Sequence, residues 1–407
     1  MGENTTFITL ANQQHCTGCL ACVDSCANKA LTACYDDEGH LTYQLNKSLC
    51  VACGLCQKVC PVVSGFMYGK NSLRASQPYA AWAKDNHLRA KSSSGGVFAA
   101  LAKFVLKGGG VVVGASLQGN TVKHIVITQE EEIALLQGSK YTQSNTEGIY
   151  RAVRTFLKEG RDVLFAGLGC QVAGLLSYLG ELTYRGNLYT VDLICGGVPS
   201  RFLIDHFLRE NPGVAEIVAF RNKQKYEFSV RDKTGGVRVV PLSDRPLPLC
   251  GFYTELTNRY SCYDCQFAGA HRKSDITIGD YWGDNEYESE HRNGISVAVA
   301  HSEKGKELLC RSELELHEIG WDNFLMHNPR MIDGYKETSK SKARKKLALA
   351  FQEYPYEKIL QVYANKATWH EPVLMLKKIC GYMVGRIKRD LYRRQLKEII
   401  KKLHDEI

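Results

Sequence analysis

The chain has 407 residues, a formal net charge of +9, 44% hydrophobic and 23% charged residues, which is enough for two or three domains with cores of ordinary globular composition. No apolar run reaches the about 18 residues that a membrane-spanning helix needs, and the N-terminus MGENTTFITLANQQ lacks the basic segment and apolar core of a secretory signal. Sixteen cysteines in such a chain point to a reducing, cytoplasmic setting with thiols kept as ligands, and basic residues gathered at the C-terminus without a nucleic-acid motif argue against nucleic-acid binding.

In chain order, Phe7-Ile8-Thr9-Leu10 reads as a short strand leading into two cysteine runs. Cys16, Cys19, Cys22 and Cys26 form C-x2-C-x2-C-x3-C, and Cys50, Cys53, Cys56 and Cys60 repeat it, with Pro61 after the second run. This is the ligand pattern of a ferredoxin-like α+β domain holding two [4Fe–4S] clusters, in which three cysteines of a run wrap one cubane and the fourth reaches the other. The expected sets are therefore Cys16, Cys19, Cys22 and Cys60 for the first cluster, and Cys26, Cys50, Cys53 and Cys56 for the second. Zinc also takes C-x2-C pairs, but it needs neither a third cysteine in register nor a second run. The fourth cysteine is expected to start a helix leaving each loop, and Gly18 and Gly54 to let the loops bend. Ala27 stands where a proline is usual, Cys34 belongs to neither run, and Leu41–Leu45 alternates as a strand. The ferredoxin-type domain is placed at 1–66, with a linker over 62–78.

From Tyr79 the texture changes. Ala80–Ala83 reads as a strand, and Lys91-Ser92-Ser93-Ser94-Gly95-Gly96 precedes a helix with Val97, Leu101, Phe104 and Val105 on one face and Gly108 at its end. Serines and glycines at a helix N-terminus suit a phosphate, or serve only as a cap and turn. Strands at 111–115, 124–128, 162–166 and 188–194 alternate with helices at 130–136, 149–157, 175–179 and 202–208, which predicts an α/β domain with a largely parallel sheet over 79–330. Further strands are expected at 276–278 and 295–300, and a helix at 305–310. Cys170 and Cys195 each follow the C-terminal end of a strand, where open α/β sheets bind ligands. Cys262 and Cys265 add a C-x2-C pair. On spacing alone, these four either converge on a third cluster or are buried thiols beside a zinc-type pair. Beyond residue 330, the basic run SKSKARKK (339–346) and a helix with Val384, Ile387, Leu391, Ile399 and Leu403 opposite a basic face make a helical C-terminal region, 331–407. That helix either packs its stripe on the body or docks on an acidic partner or an anionic membrane surface.

Six stretches, SSSGGVF (92–98), GSKYTQS (138–144), GLGCQVAGL (167–175), LICGGVPS (193–200), CYDC (262–265) and SDITIGDYWG (274–283), resemble, in order, the beta subunit of coenzyme F-420 hydrogenase and dehydrogenase. The resemblance implies a flavin-binding α/β domain with FAD and a third [4Fe–4S] cluster on Cys170, Cys195, Cys262 and Cys265. It implies that Ser93, Ser94, Gly95 and Gly96 cradle an FAD phosphate, with Lys140 and Tyr141 near the flavin. Lys140, Tyr141 and Asp280 are the catalytic candidates, for charge stabilisation and proton transfer. The implied activity couples hydride exchange with a deazaflavin coenzyme, or another small unsaturated or carbonyl molecule, to single electrons from a ferredoxin or other redox partner. The alternative is a chain that only relays electrons in a larger complex. GLGCQ replaces the family's more usual GTPCQ, and Gly196 stands where a histidine is common.

Overall fold

The computed structural model describes residues 9–334 other than 13, 66–75, 181, 183–186, 222–226, 241–246, 256, 270, 283–286 and 333. Most of the linker, Phe7 and Ile8 of the expected first strand, and the basic C-terminal region from 335 onward lie outside the described residues. Thr9 and Leu10 belong to no strand.

The N-terminal unit consists of α1 (Ala21–Ser25), a hairpin of β1 (Leu31–Tyr35) and β2 (Leu41–Leu45), and α2 (Leu55–Val59). The hairpin is antiparallel with Leu31 opposite Leu45 and Tyr35 opposite Leu41. The two cysteine runs wind alike. Gly18 and Ala52 are left-handed at equivalent places, and so are Leu20 and Gly54. The two glycines are thus not each other's counterparts. The fourth cysteines also differ from expectation: Cys26 and Cys60 end α1 and α2 rather than starting helices. Each short helix carries the third cysteine of its run, Cys22 or Cys56, in its first turn and ends at the fourth, which sets the span from one to the other.

The body opens with β3 (Gln77–Ala83), α3 (Asn86–Lys91) and α4 (Val97–Lys107). Asp85 caps α3 by accepting from the backbone of His87 and Leu88, and α4 buries Val97, Leu101 and Val105 as its spacing requires. There follow β4 (Val111–Gln118), β5 (Thr121–Ile127), α5 (Ile133–Leu136), α6 (Ile149–Lys158), β6 (Val163–Leu168), α7 (Gly169–Leu179), β7 (Leu188–Leu193) and α8 (Phe202–Glu210). Three strands absent from the sequence reading come next: β8 (Val214–Ala219), β9 (Phe228–Asp232) and β10 (Val237–Val240). The chain continues through α9 (Leu247–Thr254), β11 (Ile276–Asp280), α10 (Glu288–His291), β12 (Ser296–Ala300), α11 (Glu303–Arg311), β13 (Leu314–Glu318) and α12 (Trp321–His327).

The main sheet runs β13-β3-β12-β11-β7-β6-β4-β5. Only its centre, β11-β7-β6-β4, is parallel; β5 on one side and β12, β3 and β13 on the other are antiparallel. The expected largely parallel sheet is therefore a mixed one. Both faces are buried, as period-two alternation demands. Val112, Leu164 and Val191 pack with α4 on one face, and Val111, Val113, Val163 and Phe165 with α6 and α7 on the other. The N-terminal unit is stacked on that second face, with Cys19, Ala21 and Val59 in the same core as α6 and α7. The three-stranded antiparallel sheet β10-β9-β8 has its own core around Phe207, Phe220 and Phe228 and packs beside β4 and β5 through Val122 and Leu117.

Candidate functional site

Seven of the eight N-terminal thiols fall into two groups. Cys16, Cys19, Cys22 and Cys60 all line one small pocket, roofed by Leu20 and Tyr43. Burial pushes the Cys19 thiol up to about 12, and the neighbouring Cys60 and Cys16 push it further in the same direction. Burial likewise raises Cys56, which feels Cys26 and Cys53. The structure thus brings Cys60 to the first run and Cys26 to the second. Cys34 lies on β1 opposite Thr42 and feels Cys16 of the first group, but it does not line that pocket. Backbone and hydroxyl groups already turn to the sulfurs: Gly18 N–H to Cys16 at 3.4 Å, Ala30 N–H to Cys26 at 3.3 Å, and Thr42 Oγ1 to Cys16 at 3.6 Å. The second group sits at the surface. Cys53 is exposed, Leu49, Val51 and Leu55 near it in sequence are 47%, 67% and 43% exposed, and Val63, beside Cys60, is 41% exposed.

Cys170, Cys195, Cys262 and Cys265 also converge, although 95 residues separate the first from the last in sequence (265 − 170). Burial drives Cys170 well above the ordinary thiol range, and Cys265, Cys195 and Cys262 all act on it in the same direction. The positions follow from the parallel sheet centre. Cys170 opens α7 after β6, and Cys195 follows the end of β7, so both emerge at one edge. Arg330, nearly buried, ties the group from the other side, donating to the carbonyls of Cys195 at 3.1 Å and Cys262 at 3.3 Å. Two features join this group to the first. Gly174, one turn into α7 from Cys170, presses on Cys19, where an added Cβ would meet Sγ at 3.0 Å. Arg259, 2% exposed, sits three residues before Cys262 and donates to the Cys16 carbonyl at 3.1 Å, to Leu41 O at 2.5 Å and to Gln143 Oε1 at 2.7 Å. Gly18 is glycine because its left-handed turn (φ 64°) brings it against that guanidinium: a Cβ there would lie 2.6 Å from Arg259 Nη2.

A cavity of about 830 Å3 opens at the same sheet edge, lined by Ala166–Leu168 at the end of β6, Leu193–Pro199 from the last residue of β7 onward, Ile278–Asp280 on β11 and the N-terminus of α4. It holds Cys195 in its wall, and with it Ser93, Ser94, Gly96, Lys140, Tyr141 and Asp280. Gly95 is not in the wall. Its N–H donates to Ser296 Oγ at 2.9 Å, and a Cβ would strike the Ala81 carbonyl and Ser296 N, so this glycine serves the packing of β3 against β12 rather than a phosphate. Lys140 also departs from expectation. Its ammonium donates to Leu136 O at 2.8 Å and Gln137 O at 2.7 Å, closing its own loop, and burial lowers it to about 7. Tyr141 stacks on Phe252 with centroids 3.8 Å apart. Asp280 is ion-paired to Arg221 at 2.8 Å, and Arg221 also donates to Ser93 O at 3.0 Å and bonds Tyr141. Arg221 thus gathers three sequence-predicted residues, yet no motif marks it; it follows the unanticipated β8. Two further wall residues carry no sequence signal. His124 Nε2 faces Ala166 O at 2.9 Å, which makes it the protonated nitrogen and leaves buried Nδ1 as an acceptor without a protein partner. Burial lowers His124 to about 4. Gln137 donates through Nε2 to Leu88 O and Ser92 Oγ, and its buried Oε1 has no protein partner either. Gly196 leaves open space, since a Cβ there would meet nothing nearer than Glu255 Oε1 at 4.0 Å.

A ferredoxin-like unit with two cysteine runs, stacked on a mixed α/β body, has the architecture of an iron–sulfur redox protein. Residues 15–63 match the 4Fe-4S dicluster domain. Residues 78–150 match the N-terminal part of the coenzyme F420 hydrogenase/dehydrogenase beta subunit, and residues 160–319 match its C terminus. The protein belongs to this beta-subunit family of coenzyme F420 hydrogenases and dehydrogenases, with a dicluster domain ahead of the family's two parts. It is 27% identical over 242 residues to a subunit of the F(420)H(2) dehydrogenase of Methanosarcina mazei, a match covering 56% of this chain and 67% of that one. A chain of the F420-reducing [NiFe] hydrogenase complex from Methanosarcina barkeri shares 20% identity, with a TM-score of 0.45, over 66% of this chain and 90% of its own. Among the described residues, no helix is long and apolar enough to cross a membrane.

Proposed function

We propose that the protein is an FAD- and iron–sulfur-dependent oxidoreductase that exchanges hydride with a deazaflavin coenzyme, or another small unsaturated or carbonyl molecule, and passes the electrons singly to a redox partner. The observation that carries this reading is Cys195, which belongs at once to the third thiol group and to the wall of the large cavity. A centre on Cys170, Cys195, Cys262 and Cys265 would adjoin both the cavity and, through Gly174 and Arg259, the centre on Cys16, Cys19, Cys22 and Cys60. The set Cys26, Cys50, Cys53 and Cys56 would complete the line at the surface. The exposed apolar residues Leu49, Val51, Leu55 and Val63 are where a partner protein would dock.

The cavity fits a flavin dinucleotide in size and donor set. Its volume lies within the about 300–1,000 Å3 range of cofactor pockets. The N-terminus of α4, with Val97 and Phe98 in the wall, offers backbone N–H groups to a phosphate. His124 Nδ1 and Gln137 Oε1 offer buried acceptors to an amino, imide or hydroxyl donor. When bound, FAD supplies the exchange between two-electron and one-electron chemistry. The chain's own residues position it: Ser93 and Ser94 at the helix entry, Tyr141 against Phe252, and Arg221 held by Asp280 as a fixed positive charge. The Asp280 carboxylate is engaged by that arginine, so it acts by holding Arg221. The space left at Gly196 would fit a substrate group different from that of family members with histidine there.

Metal and flavin analysis of anaerobically purified protein tests this reading. The expected content is about twelve irons and one FAD per chain, since three cubanes hold four irons each. Protein with iron and no flavin overturns the oxidoreductase reading in favour of an electron relay. About eight irons with FAD removes the third centre alone.

A further inference from the structure

Two buried guanidinium groups lie beside the thiol groups without a carboxylate to balance them. Arg259 is 2% exposed and Arg330 9%. Arg259 donates to the Cys16, Leu41 and Gln143 oxygens, Arg330 to the Cys195, Cys262 and Gly334 carbonyls, all of them neutral acceptors. Among the described residues neither has an acidic partner. An arginine cannot shed its proton in a protein, and an uncompensated buried charge is expensive. Three other nearly buried arginines have their acids: Arg89 has Glu290, Arg221 has Asp280 and Arg272 has Asp192. The missing negative charge at Arg259 and Arg330 must come from what the thiols hold. A cubane with four thiolates is a net anion, and reduction adds one electron and further negative charge.

Resting on the iron–sulfur reading above, we propose that Arg259 and Arg330 are potential-setting residues: Arg259 a counter-charge shared by the centres on Cys16/Cys19/Cys22/Cys60 and Cys170/Cys195/Cys262/Cys265, and Arg330 a counter-charge for the latter alone. The geometry gives each a distinct reach. Arg259 holds the carbonyl of Cys16 with one nitrogen, and its own carbonyl accepts from Cys262 N–H at 3.0 Å, while Ser261 beside it also donates to the Cys16 carbonyl. Arg330 touches only residues around the third group. Neither guanidinium hydrogen-bonds a residue of the surface set Cys26, Cys50, Cys53 and Cys56. With cubanes bound at both sites, Arg259 would be a fixed positive charge beside each, available to whichever carried the extra electron. The shared cation keeps the two potentials close, and the second arginine favours the cavity-side centre.

The test is an electron paramagnetic resonance redox titration of the anaerobic full chain, with iron content measured on each sample. Arg259→Gln keeps donors but removes the charge. It is expected to lower the reduced-to-oxidised ratio of the first and third centres by about tenfold or more at fixed potential, about 59 mV for a one-electron couple, with the surface centre unmoved. Arg330→Gln is expected to move the third centre alone, and Arg259→Lys to restore most of the loss. The proposal is overturned if the iron content is full and the potentials stay where they were, or if all three centres move together. Should Arg259→Gln lose iron, Arg259→Lys and Arg330→Gln decide: a lysine variant with wild-type iron but the first and third potentials displaced as far as by loss of the charge also refutes it. Wild-type protein without cubane signals instead defeats the iron–sulfur reading itself.

Discussion

Substituting Asp192 by asparagine should empty the third thiol group while sparing the two N-terminal ones. Asp192 on β7 pairs with Arg272 at 2.8 Å, with side-chain exposures of 0% and 1%. Its other oxygen accepts from Thr277, which in turn faces His301 Nε2 at 2.8 Å. Arg272 uses its remaining donors on the carbonyls of Gly269 at 3.1 Å, Leu193 at 3.3 Å and Arg330 at 3.2 Å. One ion pair therefore pins three segments: the turn after Cys265, the end of β7 just before Cys195, and the segment that carries Arg330. Asp192→Asn takes the carboxylate at 2.8 Å away from a buried guanidinium, a loss of about 3–5 kcal/mol. Because the carbonyls of Gly269, Leu193 and Arg330 belong to those segments, the loss falls there and not on the cysteine runs at 16–60. Iron analysis should drop from about twelve towards about eight per chain, with the N-terminal cubane signals intact. Replacing both partners, Asp192→Leu with Arg272→Met, should cost far less than the single change, since it removes the stranded charge. A fully loaded, equally stable Asp192→Asn protein, or a double variant worse than the single one, would refute the reasoning.

Three further outcomes are expected. Cys60→Ser should abolish the signal of the centre that includes Cys16, and Cys26→Ser that of the surface centre; the reverse pattern would show that each run binds its own cubane. Lys140 is lowered by burial to about 7 from an ordinary 10.5, so between those two values the unfolded chain binds more protons there than the folded one. Its burial penalty is therefore full below about pH 7 and is relieved as pH rises towards 10.5, so stability should gain a rising component over that window that Lys140→Met removes. Carbon NMR of the dimethylated lysines should find one titrating near 7. His124, held neutral by burial down to about 4, should give flavin affinity without a break near pH 6.5, and His124→Phe should weaken flavin binding by removing the buried acceptor; fluorescence titration with FAD reads both, and unchanged affinity would remove His124 from the site.

The thiols are legible in the sequence because cubane ligation imposes a spacing that the chain must write down locally. The strands that place Cys170 and Cys195 are legible because buried parallel strands show as apolar runs. What stays hidden is what the tertiary arrangement creates. The strands of the sheet β8–β10 are short; Phe228-Ser229-Val230-Arg231 alternates, but over only two apolar positions, too few to stand out as a strand. Arg221, Arg259 and Arg330 carry no motif, because an arginine's role depends on which carbonyls and charges meet it from 60 to 240 residues away. Gly95 misleads for a related reason: a glycine beside a helix start serves equally well for a phosphate or for a neighbouring strand, and only the position of Ser296 decides.

The placement of Arg259 also bears on how the protein is made. The first thiol group is complete once residue 60 has left the ribosome, but the guanidinium that covers the Cys16 carbonyl lies 243 residues after Cys16. At about 5–20 residues per second, roughly 10–40 s pass between residue 60 and Arg259. Asp24 has a shorter wait, since the Gly148 and Tyr150 N–H groups that donate to it lie at the start of α6. During translation the N-terminal unit is therefore a half-built surface, exposed to oxygen and to cluster-delivery factors alike. A cubane inserted in that interval would be handed, already formed, to the body that closes over it.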